Sequence, residues 1–521
     1  MTSKWYGLAP LLAATALALV SPAAAQTPPN VLVVVQIAEP ASLDPHVSTA
    51  ANDFRIAVNL YDGLVRNKSG TLEIEPALAT DWTISDDGLE YTFNLREGVS
   101  FHDGTPFNAD AVKFNFDRML DETHPYADTG PFPLSFFFSA VETVEVIDDL
   151  TVKFTLNEAF APFMSNLASA TGLIVSPAAV EQYGADYGRN PVGTGPYKIA
   201  DWVDGEYIKL VAHDDYFGGK PTAKSVTFVE VPEVSARIAG LVSGEYDIAV
   251  NIPPDQIPVI EGYDDLKVEQ IVLDNTHMLV FFNTGPLQDK RVRQALSLAI
   301  DRALLREALW NDKNYTPNGH QLPSYTMWIK DFPEFEYNPE KARELLKEAG
   351  YNGEEIVYKL PLNYYLLSME AAQAMQQMWG AVGLNVKLEP VENWSQVTDA
   401  NSTVHIRPWS NTHRMPDPLG SFVPQWGRDS DVQRNKQDAA RSWQAPARFN
   451  ELQDVIVTST DWDERQKAYR EALEIWNDEA PGTMLYNPLE TYAMRKDVNW
   501  QPYGLYYMDL RPYNLQFGLS N

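Results

Sequence analysis

The sequence predicts an α/β protein of more than one domain, and three observations predict it. At 521 residues the chain is too long for one hydrophobic core. Its apolar share of 45% and charged share of 21% are those of a folded globular protein. Short β-rich runs alternate with amphipathic stretches, and Met278 to Leu309 shows the switch most clearly. There Met278-Leu279-Val280-Phe281-Phe282 reads as a buried strand closed by Asn283-Thr284-Gly285-Pro286. After Asp289 the residues Val292, Ala295, Leu296, Ala299, Ile300, Ala303 and Leu304 fall three or four apart, an amphipathic helix of about five turns. One reading makes this a strand-loop-helix unit of any α/β domain. The sharper one takes Asn283 to Gln288 as a pivot where the chain leaves one lobe and founds a second.

Residues 1–25 stand apart from the fold. Lys4 precedes a 14-residue, largely apolar and uncharged stretch, Gly7 to Val20, and Ser21-Pro22-Ala23-Ala24-Ala25 offers small residues for cleavage before Gln26. That is the pattern of a secretory signal, too short for a membrane span. No later stretch reaches about 18 apolar residues, so the mature chain is expected to be soluble. The absence of cysteine excludes disulfides, thiolate metal sites, a cysteine nucleophile and a lipidated cysteine after the signal. An exported chain without an anchor fits the periplasm of a Gram-negative cell, or plain secretion. Losing Lys4 takes the net charge from −31 to −32. DNA phosphates and anionic lipid would repel so acidic a chain, so nucleic acid is not an expected partner. Acidity as a solubility trait is the plainer explanation.

The elements follow in order. Val31 to Val35 reads as a fully buried strand and runs into Glu39-Pro40-Ala41-Ser42-Leu43-Asp44-Pro45, whose prolines stop strand and helix alike. Asp53 to Leu64 looks helical, and Tyr91 to Leu95 is a strand after the turn Asp86-Asp87-Gly88. Asn108 is a good cap for a helix with Val112, Phe116 and Met119 on one face. Val141–Ile147 and Val152–Leu156 pair as a hairpin around Asp148-Asp149. The turn cluster Pro191 to Tyr197 precedes strands at Tyr197–Trp202 and Tyr207–Ala212. Further strands are expected at Val226–Val231 and Tyr246–Val250, with a helix at Glu233–Gly240. Asn338-Pro339 opens a helix that Gly350 ends. Ile356–Leu360, a helix from about Leu367 to Val382, and Asn385–Leu388 form a β-α-β unit, and Asp463–Glu479 is helical up to Pro481.

Several stretches carry a family resemblance: Ala41 to Pro45, Leu78 to Trp82, and Tyr91 to Arg118 with its core His102-Asp103-Gly104-Thr105-Pro106-Phe107. Pro191 to Tyr197, Phe282-Asn283-Thr284 with Arg291 to Leu296, and Tyr337 to Gly350 continue the series. In this order they resemble the periplasmic solute-binding proteins of ABC importers, in the class (extracellular solute-binding protein family 5) that takes up peptides, opines, nickel and some sugars. The resemblance implies the two-lobe periplasmic-binding-protein fold of type II, an α/β fold with an extra β-rich subdomain in the first lobe. It implies lobe I from residues 26–66, 200–282 and 486–521, a small subdomain over 67–199, and lobe II over 283–485. Solute is then caught by hinge motion, with Asn283 and Thr284 in one crossing and Tyr486 by the other. The implied partners are a small-molecule solute and the importer's membrane permease, with a monomeric protein and no cofactor.

Two-lobe proteins bind ligands in the cleft, at the carboxyl ends of strands. The loop Arg407 to Pro418 is therefore the leading candidate: Trp409 could stack a sugar or planar group, with Asn411, Thr412, His413 and Arg414 as donors. In peptide-binding relatives the similar loop carries an acid for the peptide's amino terminus. Asp417 keeps an acid here, but His413 and Arg414 stand near it. Those relatives also place a basic residue near Leu360 to Tyr365, where this chain has Asn363 and Tyr364 and no positive side chain. Both departures count against a simple dipeptide. Arg414 suits an anion, which points to an opine or sugar-phosphate-like solute of the agrocinopine kind, with a peptide as the alternative. The competing reading pairs Arg414 with Asp417 or Asp429 and makes Trp409 and Trp394 core rings. Gln36 and Glu39, at the end of the first strand, complete the candidates.

Enzyme signatures are missing: there is no G-x-S-x-G, H-E-x-x-H, complete G-x-G-x-x-G or phosphate-loop pattern. His102 and Asp103 could mimic an acid-base pair, but beside Gly104 and Pro106 they are expected to brace a loop. The eight histidines lack ligand spacing, and His405 with His413 makes no metal site. A secreted hydrolase using two cleft carboxylates stays as the alternative of another class, because one sequence cannot place carboxylates across a cleft.

Overall fold

The computed structural model describes residues 30–48, 51–68, 73–160, 162–362, 364–413, 417–435, 438–459, 461–504 and 508–518. The expected signal segment, Asn363 and Arg414 lie outside the described residues. Among those described, no helix is long and apolar enough to cross a membrane.

The first lobe is built on a seven-stranded sheet ordered Leu266–Val272, Leu489–Arg495, Ile248–Val250, Val31–Gln36, Ser225–Glu230, Tyr207–Ala212, Tyr197–Val203. Val31–Gln36 sits near its centre with a parallel neighbour on each side. A valine-rich run suits that place because both faces are covered: Leu32 and Val34 enter one core with Phe93, Phe116 and Phe154, and Val35 enters another with Leu241, Ile260 and Ala493. A four-stranded antiparallel sheet, Ala79–Ile84, Glu90–Leu95, Thr151–Leu156, Val141–Asp148, shares the larger core. The helix Ala109–Leu120 packs on this sheet, and the Asn108 side chain accepts from Ala111 N at 3.0 Å.

The second lobe holds a five-stranded sheet ordered Val386–Val391, Ile356–Pro361, Ile406–Thr412, Asn275–Phe281, Gly482–Tyr486. Leu279, Phe281, Ile406 and Leu485 face one core, and Met278, Val280 and Met484 face the other.

Three expectations change. The helix after Asp289 is two, Lys290–Leu298 and Arg302–Trp310. The break occurs because Asp301 accepts from Leu304 N at 3.0 Å and caps the second helix. Arg302 turns inward and donates to the closing carbonyls Ser297 O and Ile300 O, each at 3.2 Å. Residues 406–412, expected as a loop, form a strand antiparallel to Asn275–Phe281, with Pro408 opposite Leu279. Finally, the crossing between sheets falls at Leu273–Asp274, because Asn275–Phe281 already belongs to the second lobe. Asn283 and Thr284 bond inside that lobe, to Arg441 O and Val404 O. The return lies at Asn487–Pro488, just after Tyr486 ends its strand. The two crossings touch: Leu273 N donates to Pro488 O at 3.0 Å.

Candidate functional site

Where the outgoing crossing meets the first lobe, a cavity of about 490 Å³ opens. Val58, Val65, Leu173, Ile271 and Val272 give it apolar walls, and Tyr503 and Tyr513 add rings with polar tips. The charged lining residues are Asp62, Arg66, Asp274, Asp509 and Arg511, and Ser324 reaches in from the second lobe. A space of this size with few convergent polar groups is the form of a small-molecule site.

Most of these charges answer one another. Arg511 donates to Asp62 Oδ1 at 2.8 Å and to Asp509 Oδ1 at 3.0 Å. Tyr216 Oη donates to Asp62 at 3.0 Å, and Tyr503 Oη to Asp509 at 2.7 Å. Burial alone would raise the Asp509 carboxyl, but Arg511 and the tyrosine hydroxyls outweigh it and hold it below the usual carboxylate range. Arg66 donates to Glu75 at 2.7 Å and lies over the Tyr513 ring. Asp274 is the exception. Ser324 Oγ donates to it at 3.4 Å, no described cation pairs with it, and burial pushes its carboxyl above the ordinary value.

The residues singled out in the sequence lie elsewhere. Trp409 and Tyr364 are half-buried and come together through Trp394, which stacks on Tyr364 at 4.9 Å and lies 5.6 Å from Trp409. Tyr364 Oη accepts from Ser410 N at 3.2 Å. Thr412 accepts from Asn275 Nδ2 at 3.0 Å. Asn411 and His413, expected as donors to solute, point into the second lobe's interior. Asn411 donates to Ser421 Oγ at 2.6 Å, while His413 sits between Thr276 Oγ1 at 2.9 Å and Tyr325 Oη at 2.6 Å. Burial lowers the His413 pKa to about 3. Asp417 accepts two bonds from Arg465, at 2.9 and 3.0 Å, so it serves its own lobe. Glu39 is held by Arg189, Trp202 and Gly205 N, and Gln36 accepts from Arg55 at 3.1 Å, both within the first lobe. Sequence reasoning missed Asp274, Asp509 and Arg511. Only their charge could have marked them, and nothing in the linear order links residue 62 to residue 511.

Residues 73–432 match the family model of bacterial extracellular solute-binding proteins, family 5. The chain belongs to that family. This solute-binding receptor is 32% identical to a glutathione-binding protein of Pectobacterium atrosepticum, over 84% of this chain and 85% of that one. Its fold matches an ABC transporter-associated periplasmic binding protein of Helicobacter pylori, solved with the peptide STSA. That match has a TM-score of 0.82 at 27% identity and covers 94% of this chain and 98% of the other. A binding protein from A. tumefaciens R10 solved with agropinic acid shares the fold, with a TM-score of 0.80 at 24% identity, covering 94% and 99%. The receptor is thus of the type that serves ABC importers.

Proposed function

We propose that this receptor captures a small amino-acid-derived acid that also carries an amine, an opine-like solute, and passes it unchanged to an importer permease. Asp274, with no cation partner among the described residues, carries this reading. A desolvated carboxylate facing a 490 Å³ cavity calls for a cationic group on the solute, and an ammonium supplies one. The same carboxylate would repel a sugar phosphate, so within the anionic class the opine is favoured. A short peptide is the second reading. It offers the same ammonium and carboxylate, and the relatives named for glutathione and solved with STSA support it.

Native mass spectrometry of the protein purified from its own host would name the retained solute. Calorimetric titration with octopine and with glutathione then tests the role of Asp274. In Asp274→Asn, affinity for the amine-bearing solute should fall by about 2 kcal/mol or more. The same change removes a carboxylate whose raised pKa opposes folding above its own titration range, so the melting temperature at pH 7 should equal or exceed the parent's. Unchanged affinity in that variant would dismiss the amine contact. Steady consumption of the solute would instead establish a hydrolase.

A further inference from the structure

Of the charged residues lining the cavity at the outgoing crossing, three answer one another and two do not. Arg511 commits its donors inside the protein: Nε to Tyr216 Oη at 2.9 Å, Nη1 to Asp509 at 3.0 Å, and Nη2 to Tyr61 O at 3.0 Å and Asp62 at 2.8 Å. Asp62 and Asp509 are neutralised by it in turn. Asp274 and Arg66 are left, of opposite sign and lining the same space of about 490 Å³.

Arg66 is held along one edge only. It stands opposite Glu75 in the hairpin of Val65–Asn67 and Ile74–Pro76, and its Nε donates to Glu75 Oε1 at 2.7 Å. Its guanidinium carbon lies 4.9 Å from the Tyr513 ring centre, and the Tyr513 hydroxyl is itself tied to Asp509. Among the described residues nothing accepts from its Nη1 or Nη2. The ring face and the Glu75 bond fix the plane of the guanidinium, and the remaining Nη pair offers a carboxylate two parallel bonds. The hairpin ion pair does not explain the residue by itself: its side chains are 26% and 32% exposed, and pairs so open to water add little stability.

We infer that Arg66 is the solute's carboxylate partner, in the first-lobe wall of the cavity that Asp274 also lines, so that the site takes a zwitterion with an apolar body. This rests on the reading of an amine-bearing acid. Asp274 alone would admit any amine, and Arg66 turns away amines that carry no acid. Val65, Leu173 and Ile271 line the same space and suit the apolar body. Asp274 belongs to the crossing and Arg66 to the first lobe, so a bound zwitterion ties one to the other.

Titrating the mature full-length chain with octopine and with glutathione, each beside the form whose carboxylates are converted to amides, tests the assignment. The parent should bind each acid about 10-fold more tightly than its amide, and Arg66→Gln should weaken the acid about 10-fold while sparing the amide. Arg66→Lys should recover part of that loss. Glu75→Gln removes the hairpin ion pair but leaves the guanidinium, so it should keep the preference for acid over amide. A loss in Glu75→Gln equal to that in Arg66→Gln would mean that the pair only shapes the hairpin, and would overturn the subsite. Equal affinity for acid and amide in the parent overturns it without any variant. If Asp274→Asn still weakens binding in that case, the amine contact stands alone. Failure of the parent to bind either pair removes the amine-bearing acid, and the subsite falls with it.

Discussion

Histidines held away from water make the protein's stability depend on pH, His320 and His405 among them, and each shift can be traced first to burial. His277 and His413 are pushed down to about 3, and His46 and His102 to about 4, in each case first by desolvation. The folded state therefore refuses protons that the unfolded chain accepts below its ordinary value near 6.5. The stabilisation is complete above that value and drains away as pH falls toward 4. Each histidine contributes a slope of at most about 1.4 kcal/mol per pH unit in that window. Melting temperature should drop between pH 7.5 and pH 5. The drop should be shallower in His277→Phe, because His277 stacks on Tyr365 with centroids 3.7 Å apart and both its ring nitrogens lack partners. An identical slope in that variant would show that His277 is protonated in the fold. The sequence displays these histidines but not their depth. His413 looks like a donor in a polar run, and only the register opposite Asn275–Phe281 reveals that the neighbouring side chains alternate between interior and edge.

At the level of elements, local chemistry is well written in the chain wherever a cap or a period decides. Asn338 caps Pro339–Ala349 through Lys341 N at 2.9 Å, and Gly350 ends that helix at a φ of 71°, a left-handed value that suits glycine. The two misread elements fail for physical reasons. Between Ala299 and Leu304 the apolar period continues unbroken while a cap interrupts the backbone, so periodicity alone cannot see the joint. Asp301→Ala should therefore destabilise the second lobe by about 1 kcal/mol, read as a shift in the urea midpoint. A shift near zero would mean that Arg302, not Asp301, sets the break. The strand Ile406–Thr412 hides behind Pro408 and a polar composition, because its inward Asn411 is satisfied by a buried network around His320, Ser421 and Trp426. A strand whose interior is hydrogen-bonded rather than oily carries no alternation for the eye to find.

For the whole molecule the decisive feature is how two lobes are tied together, and this was the least legible. The crossings, Leu273–Asp274 and Asn487–Pro488, are only two residues each between consecutive strands. Asn487 is fully buried and binds the crossings to each other: its Nδ2 donates to Leu273 O at 3.2 Å, and its own carbonyl accepts from Asn314 Nδ2 at 2.9 Å. Asp274, the acid proposed to meet the solute, follows Leu273 directly, so on the proposed reading the crossing and the amine contact share one piece of backbone. Asn487→Ala leaves Leu273 O without that donor and should cost about 1–3 kcal/mol in unfolding free energy. It should also weaken octopine or glutathione binding without touching either solute. The Asp274→Asn protein should instead lose affinity with no loss in the unfolding midpoint. Small-angle scattering separates the cases: solute should compact the parent, and the Asn487→Ala protein should compact less at saturation. Equal compaction and equal affinity in that variant would mean that the crossings do not need this side chain as a joint, and the hinge would have to be carried by the backbone pairing of Leu273 and Pro488 alone.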